Sequence, residues 1–307
     1  MGRVGVDIYP EQIGVGLEDV SSFGKFLGGS ATNVAVAAAR LGHRSAVVTR
    51  TGDDPFGRFV HQALRGFGVD DQYVTPVPGS PTPVVFCEIF PPDDFPLYFY
   101  RGQKAPDLHI SADELDYDAI RAADVFWVTV TGLSQEPSRE AHLAALEARK
   151  GHGTTVIDLD YRPMFWESPE AATAEIAKAL PFATVAVGNK EECQVAIGET
   201  EPQAAAKALQ DAGIELAIVK QGPLGVLGVR GDESVVVPPV PVDVVNGLGA
   251  GDAFGGALVH GLLTGSTLTE TLSGANAAGS FVAGQLSCAD AMPTAAQLQT
   301  YLQENGR

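Results

Sequence analysis

The segment Asn246-Gly247-Leu248-Gly249-Ala250-Gly251-Asp252-Ala253-Phe254 sets three glycines at alternate positions before an apolar run. Glycine lets a chain turn sharply and approach a ligand without a Cβ clash. A helix beginning near Gly251 directs unpaired backbone N–H groups into the turn, which suits an anion such as a phosphate. An aspartate repels phosphate, so Asp252 makes sense there as a base that takes a proton from a hydroxyl attacking a phosphoryl group. Read structurally, it is a helix N-cap on a glycine-rich turn, and the local sequence leaves both roles open.

Other residue types point the same way. Asp158-Leu159-Asp160-Tyr161-Arg162-Pro163 closes a strand pattern, and ligands of open α/β sheets bind at such strand ends. Alternation sends Asp158, Asp160 and Arg162 to one side. A guanidinium matches a carboxylate bidentately, so Arg162, and Arg101 after Leu97–Tyr100, suit a ligand bearing an acid group. The plain alternative for Arg162 is an ion pair with Asp160. Competing chemistries lack their residues. No Gly-Lys-Ser/Thr loop is present, since Gly24-Lys25 is followed by Phe26, no Gly-x-Gly-x-x-Gly follows the first strand, and no Gly-x-Ser-x-Gly elbow exists.

The elements that must carry these residues alternate. Strands are expected at Ser45–Arg50, Asp124–Val130, Thr154–Leu159, Thr184–Val187 and Glu215–Lys220. Helices are expected at Pro55–Phe67, Pro137–Lys150, Pro169–Leu180, Lys190–Ile197 and Pro202–Ala212. This order predicts a mostly parallel sheet covered by helices. Three helices close the chain, near Gly251–Leu263, Leu268–Ala283 and Thr294–Gln303. Two segments break the alternation, about 13–27 and 73–103. The second holds strands at Val84–Phe90 and Leu97–Tyr100 around a Pro-Pro-Asp-Asp turn, and together the segments predict a small β-lid. Only Met1–Val6 precede Asp7, so either the first strand is short or the natural start lies upstream.

The 307 residues are 45% hydrophobic and 19% charged, enough for one α/β domain over the whole chain. A formal net charge of -18 argues against nucleic acid and anionic membrane as partners. Cys87, Cys193 and Cys288 are far apart in sequence, and the six histidines show no metal-binding spacing. Ala253–Thr269 is interrupted by Gly, His and Thr and reads as a buried helix. The expected compartment is the cytoplasm, with no secretory leader.

Gly249-Ala250-Gly251-Asp252 before Ala-Phe resembles the C-terminal signature of the ribokinase-like (phosphofructokinase B) carbohydrate kinases. Gly28-Gly29-Ser30-Ala31-Thr32-Asn33-Val34-Ala35, running to Arg40-Leu41-Gly42, resembles their N-terminal signature. Gly52-Asp53-Asp54-Pro55-Phe56-Gly57 resembles a third motif. The motifs stand in the family's order over nearly the whole chain. The asparagine-glycine-leucine opening departs from the commoner Asp-Thr-Thr. The resemblance implies a three-layer α/β sandwich with a mostly parallel central sheet, a β-lid that pairs with its twin in a homodimer, and ATP and Mg²⁺ as cofactors. A monovalent cation is a further candidate.

It also implies site residues. Asp252 is the base, with Gly249, Ala250 and Gly251 as the anion-binding turn, and Asp7, Gly28, Gly29 and Asn33 hold the sugar. Asn189 and Glu192 match an Asn-x-x-Glu motif that holds Mg²⁺ through water; a helix cap with a solvated glutamate is the alternative. Lys220, Gly222 and Gly225 match the nucleotide-phosphate turn, and Asn276 lies on a helix that in relatives flanks the adenine. Gly2–Asp7 with Tyr9-Pro10-Glu11, Lys104-Ala105-Pro106-Asp107, and Tyr161-Arg162-Pro163 with Trp166 are similar to one branch, the 5-dehydro-2-deoxygluconokinases of inositol breakdown. That branch phosphorylates the terminal hydroxyl of a keto sugar acid. The 2-keto-3-deoxygluconate kinases share the arginine logic, and a fructokinase stays open. So does a catalytically silent sugar- or nucleotide-binding regulator, against which Asp252 in its glycine turn argues.

Overall fold

The computed structural model describes residues 1–102 and 104–306. The chain folds as two units, Arg3–Asp107 with Val240–Arg307, and Met1–Gly2 with Leu108–Pro239. The first opens with β1 (Gly5–Pro10) and β2 (Phe23–Gly28). Ser30–Arg40 forms α1, whose first turn follows the glycine pair. Then come β3 (Ser45–Ala46), β4 (Thr49–Gly52), α2 (Pro55–Gly66), β5 (Val69–Asp70), β6 (Val74–Val77), β7 (Val84–Cys87) and β8 (Leu97–Tyr100). β1 lies antiparallel to β2 and parallel to β7, giving a four-stranded sheet in the order β2-β1-β7-β8. Asp7 sits opposite Phe26 and Val85, and Val84 and Phe86 opposite Tyr100 and Tyr98. Because side chains alternate, Asp7, Tyr9, Phe26, Val85 and Cys87 share one face; Ile8, Lys25, Phe86, Tyr98 and Tyr100 share the other. The Gly52–Gly57 motif is a helix start. Asp54 caps α2 by accepting from the Gly57 N–H at 2.7 Å, and Pro55 takes the position where no donor is needed.

The second unit carries α3 (Tyr117–Ala122), β9 (Val125–Thr129), α4 (Ser138–Arg149), β10 (Thr154–Asp158), α5 (Pro169–Ala179), β11 (Val185–Asn189), α6 (Lys190–Ile197), α7 (Pro202–Asp211), β12 (Leu216–Lys220), β13 (Val226–Arg230) and β14 (Glu233–Val237). They form a six-stranded sheet in the order β14-β13-β12-β11-β10-β9. β9 to β12 are parallel, and buried strands of this kind read as continuous apolar runs, as Val156-Ile157 and Ala217-Ile218-Val219 do. α6 packs on β11 and β12, and α7 on β12 and β13. The parallel ladder aligns Asn189 with Lys220, which sets the functional strand ends side by side.

The chain then returns to the first unit as α8 (Ala250–Thr264), α9 (Leu268–Ala283) and α10 (Ala295–Glu304). α8 lies against α1 and α9. At Gly256 a Cβ would come 2.2 Å from the Cβ of Ala37, so only glycine lets these helices approach this closely. That contact fixes what α1 can offer to the start of α8.

Several expectations are corrected. Ser45–Arg50 is not one strand: β3 and β4 pair with different partners, β5 and β6. The strand from Val84 stops at Cys87, after which Phe90 bridges Asp94 around the expected turn. The first strand runs through Asp7 to Pro10 rather than ending there. The β13–β14 hairpin was missed, although Gly231-Asp232 between two valine-rich runs is a turn signal. Of the two segments expected to form the lid, β2, β7 and β8 join the four-stranded sheet, while β6 pairs with β4. Position 103, the expected lid boundary, lies outside the described residues. No helix among the described residues is long and apolar enough to cross a membrane. Ala253–Thr269, expected as one buried helix, holds most of α8 and the start of α9, parted at Gly265–Thr267 where Gly265 takes the left-handed conformation.

Candidate active site

Gly249 takes the left-handed conformation, φ 80°, and caps α8. A side chain there would also meet the sulfur of Cys288 at 2.6 Å, so the position admits only glycine. Asp252 is therefore not the N-cap; it lies in the first turn, half-buried, among the N–H groups no helical carbonyl can satisfy. The unusual Asn-Gly-Leu opening proves to be a clamp. The buried Asn246 side chain accepts from the Leu248 N–H at 3.0 Å and donates to the Leu286 carbonyl at 2.7 Å.

α1 brings Asn33 to this turn, and its Nδ2 donates to Asp252 Oδ2 at 2.8 Å. The other amide atom, Oδ1, is buried with no hydrogen-bond partner. At Gly28 a Cβ would fall 2.0 Å from the Asp7 carboxylate, and at Gly29, φ 101°, it would strike the Arg3 carbonyl at 2.5 Å. Both glycines are thus demanded by the carboxylate and backbone beneath them. Asp7 is buried and accepts from the Tyr9 hydroxyl at 2.7 Å. Burial pushes its carboxyl up to about 6; Tyr9 and the positive charge of Arg3 pull down, and Asp252 pushes up. Asp7, Gly28, Gly29, Asn33 and the Gly249–Asp252 turn therefore belong to one unit, with Asn33 bonded to Asp252.

Arg101 is buried in the same unit and paired with Asp107 at 2.6 Å. Asp107 also accepts from the Val4 N–H at 3.3 Å, so two segments distant in sequence meet just before β1. Lys25 instead sits over the Phe59 ring, 3.9 Å from its centroid. Asn276 is half-buried midway along α9.

The other candidates gather at the strand ends of the second unit. Asn189 and Glu192 cap one another: Asn189 Oδ1 accepts from the Glu192 N–H at 2.8 Å, and Glu192 Oε2 from the Asn189 N–H at 2.7 Å. The glutamate is buried, not solvated, and faces Arg162 at 3.7 Å and Lys220 at 3.8 Å. Arg162 also pairs with Asp160 at 2.7 Å. After Lys220 the turn closes through the Gln221 N–H to the Gly225 carbonyl at 2.8 Å. Gly222 and Gly225 both have positive φ, and a Cβ at Gly225 would meet the Val237 carbonyl at 2.1 Å. Among the described residues no cluster of three acidic, histidine or cysteine ligands exists.

Sequence reading missed Cys288, Tyr9, Arg3 and Asp107 as parts of this machinery. Tyr9, Arg3 and Asp107 lay inside segments already singled out. Cys288 carried no local signal, and it shares a buried cluster with Cys87 despite their separation in sequence.

Known proteins resemble this chain over nearly its whole length. The model of the pfkB family carbohydrate kinases matches residues 2–295. The 5-dehydro-2-deoxygluconokinase of Geobacillus thermodenitrificans (strain NG80-2) is 33% identical over 310 residues, covering 99% of this chain and 92% of its own. A fructokinase from Vibrio cholerae O395, solved with fructose, ADP and calcium ion, is 27% identical at a TM-score of 0.86, over 98% of this chain and 97% of its own. A putative ribokinase II from E. coli in apo form reaches a TM-score of 0.90 over 99% and 97%; at 22% identity it speaks to the fold alone. The chain belongs to the pfkB family of carbohydrate kinases, and is an ATP-dependent phosphotransferase with an alcohol acceptor on a ribokinase-like α/β fold.

Proposed function

We propose that this kinase transfers the γ-phosphoryl group of ATP to the terminal primary hydroxyl of a keto sugar acid, 5-dehydro-2-deoxygluconate in the first instance. The observation that carries the chemistry is the aspartate in an anion-binding helix turn, hydrogen-bonded to Asn33. Asp7 and Asn33 hold the acceptor hydroxyls, and Asp252 takes the proton of the attacking one. The N–H groups of Gly249, Ala250 and Gly251 meet the charge that develops on the transferred group. Lys220 and the Gly222–Gly225 turn hold the nucleotide phosphates, and Asn276 flanks the base.

Glu192 and Asn189 offer hard oxygen donors. Glu192 Oε2 and the Asn189 amide oxygen each have a lone pair beyond the backbone N–H they accept, which fits Mg²⁺ held through water. When bound, Mg²⁺ neutralises phosphate charge. The sugar-acid assignment is supported by relatives of that name at about a third identity, and by the meeting of the branch segments at Val4, Arg101 and Asp107. A second reading is favoured by the ion pairs themselves. Arg162 and Arg101 already face Asp160 and Asp107, as they would in a kinase of neutral sugars such as fructose.

Arg162→Ala separates the two. A charge-assisted hydrogen bond is worth roughly 1.5–3 kcal/mol, so its loss raises KM for the keto acid by about one to two decades and leaves KM for ATP nearly unchanged. An analogue with a neutral group in place of the carboxylate loses little further against the mutant. Equal losses for acid and neutral acceptors would contradict the assignment.

The outer face of the four-stranded sheet supports a homodimer formed through it. Phe23, Phe86 and Tyr100 make an edge-to-face ladder with centroids 5.7 and 5.5 Å apart, and Tyr100 is 65% exposed. Such a contiguous aromatic face is costly to leave in water. Tyr100→Glu is expected to convert the dimer to monomer in sedimentation experiments; a monomeric wild type would rule this interface out.

A further inference from the structure

The Asp7 carboxylate is held by a chain of two side chains that the mechanism does not use. The Tyr9 hydroxyl has one proton and donates it to Asp7 Oδ2 at 2.7 Å. Its 2.8 Å contact with Cys288 must therefore run the other way, the thiol S–H donating to the tyrosine oxygen. Both side chains are buried, in a cluster shared with Cys87 and Ile89. Burial raises the Cys288 thiol and the Tyr9 phenol well above their ordinary values, so both keep their protons, the thiol donating to the tyrosine oxygen and the tyrosine to Asp7. The same sulfur is the atom that a side chain on Gly249 would strike. One thiol thus backs both the partner of Asp7 and the turn that opens α8.

We propose that Tyr9, backed by Cys288, is a positioning residue for the acceptor: it fixes one oxygen of Asp7 and leaves the other over the bare backbone of Gly28. This rests on the reading of Asp7 as an acceptor ligand. An ionised Asp7 accepts from sugar hydroxyls through both oxygens, whereas a protonated one offers a single full acceptor. The groups facing it are Tyr9 on its own strand, Arg3, Asp252 from α8, Cys288, and Cys87 from β7. Arg3 and Tyr9 favour the charge and Asp252 opposes it. Tyr9 is the contributor that can be removed without changing the net charge.

The test is Tyr9→Phe in the full chain, assayed with whichever sugar the wild type uses best, so that it does not depend on the acid assignment. The acid limb of kcat/KM for the acceptor should move to higher pH by about one pH unit. The acceptor KM should rise about tenfold near neutrality, with KM for ATP unchanged. Cys288→Ser, which keeps a donor, should retain the wild-type profile, and Cys288→Ala should move it part of the way. An unchanged limb and acceptor KM with only a lower melting temperature would reduce Tyr9 to packing and overturn the proposal. A carbon-13 titration of the Asp7 carboxyl gives a readout without turnover: the midpoint should lie near 6 in the wild type and higher in Tyr9→Phe. If that midpoint moves while acceptor KM does not, Tyr9 sets Asp7 as argued and it is Asp7's role toward the acceptor that fails.

Discussion

Asp252→Asn is expected to lower kcat by about 10²–10⁴-fold with ATP affinity barely changed. Asparagine has the size of aspartate, and its Oδ1 can still accept from the Asn33 amide that now bonds the carboxylate at 2.8 Å. The turn itself is fixed by Gly249 and by the Asn246 clamp, neither of which touches the substituted group. What disappears is the only proton acceptor in the anion-binding turn. Removing a negative charge from a helix N-terminus does not oppose phosphate binding, so KM for ATP should hold or fall. Asp252 also disfavours ionisation of Asp7, and in the mutant the Asp7 carboxyl should titrate below its wild-type value of about 6. Steady-state kinetics with one acceptor and varied ATP check the first part. Near-normal turnover would remove Asp252 from the role of base.

Asp7→Asn should make the protein more stable and much less active. The Asp7 carboxyl, moved from 3.8 to about 6 chiefly by burial, favours its neutral form in the fold by roughly 3 kcal/mol. Between those values the folded state holds a proton that the unfolded chain releases, so stability falls as pH rises through that window. Above about pH 6 the full cost of the buried charge is present, and a neutral amide of the same shape relieves part of it. The advantage of the mutant over wild type should therefore appear above pH 6 and vanish below 3.8. The amide oxygen can keep the Tyr9 hydrogen bond. One acceptor oxygen is lost to an NH₂ group, however, so acceptor KM should rise by about ten- to a hundredfold. Melting curves across pH, set beside acceptor KM, test both halves. A mutant less stable at neutral pH would show that Asp7 is held by interactions stronger than its burial.

The helices were legible where their ends are written locally. Lys190–Ile197 and Leu268–Ala283 are found at the residues expected, because each begins with a reciprocal cap, Asn189 with Glu192 and Thr267 with Glu270. The glycine turn before Asp252 was legible for the same reason: its chemistry lies within a few consecutive residues. The relay from Cys288 through Tyr9 to Asp7 was not, since 279 residues separate the first two and nothing near Cys288 marks it. The Arg101–Asp107 pair was not legible either, and Glu192, for which a solvated helix cap is the alternative reading, lies buried between Arg162 and Lys220. Local sequence thus specified the turns and caps, and tertiary packing decided which charged groups face one another.

The identity of the acceptor is tested most directly by a coupled ADP-release assay of the wild-type chain over a panel of sugars and sugar acids, with kcat/KM determined for each. We expect the highest value for 5-dehydro-2-deoxygluconate, lower values for other keto acids, and the lowest for fructose and ribose. A preference for fructose or ribose over every acid would contradict the sugar-acid assignment and leave Arg162 as the structural partner of Asp160.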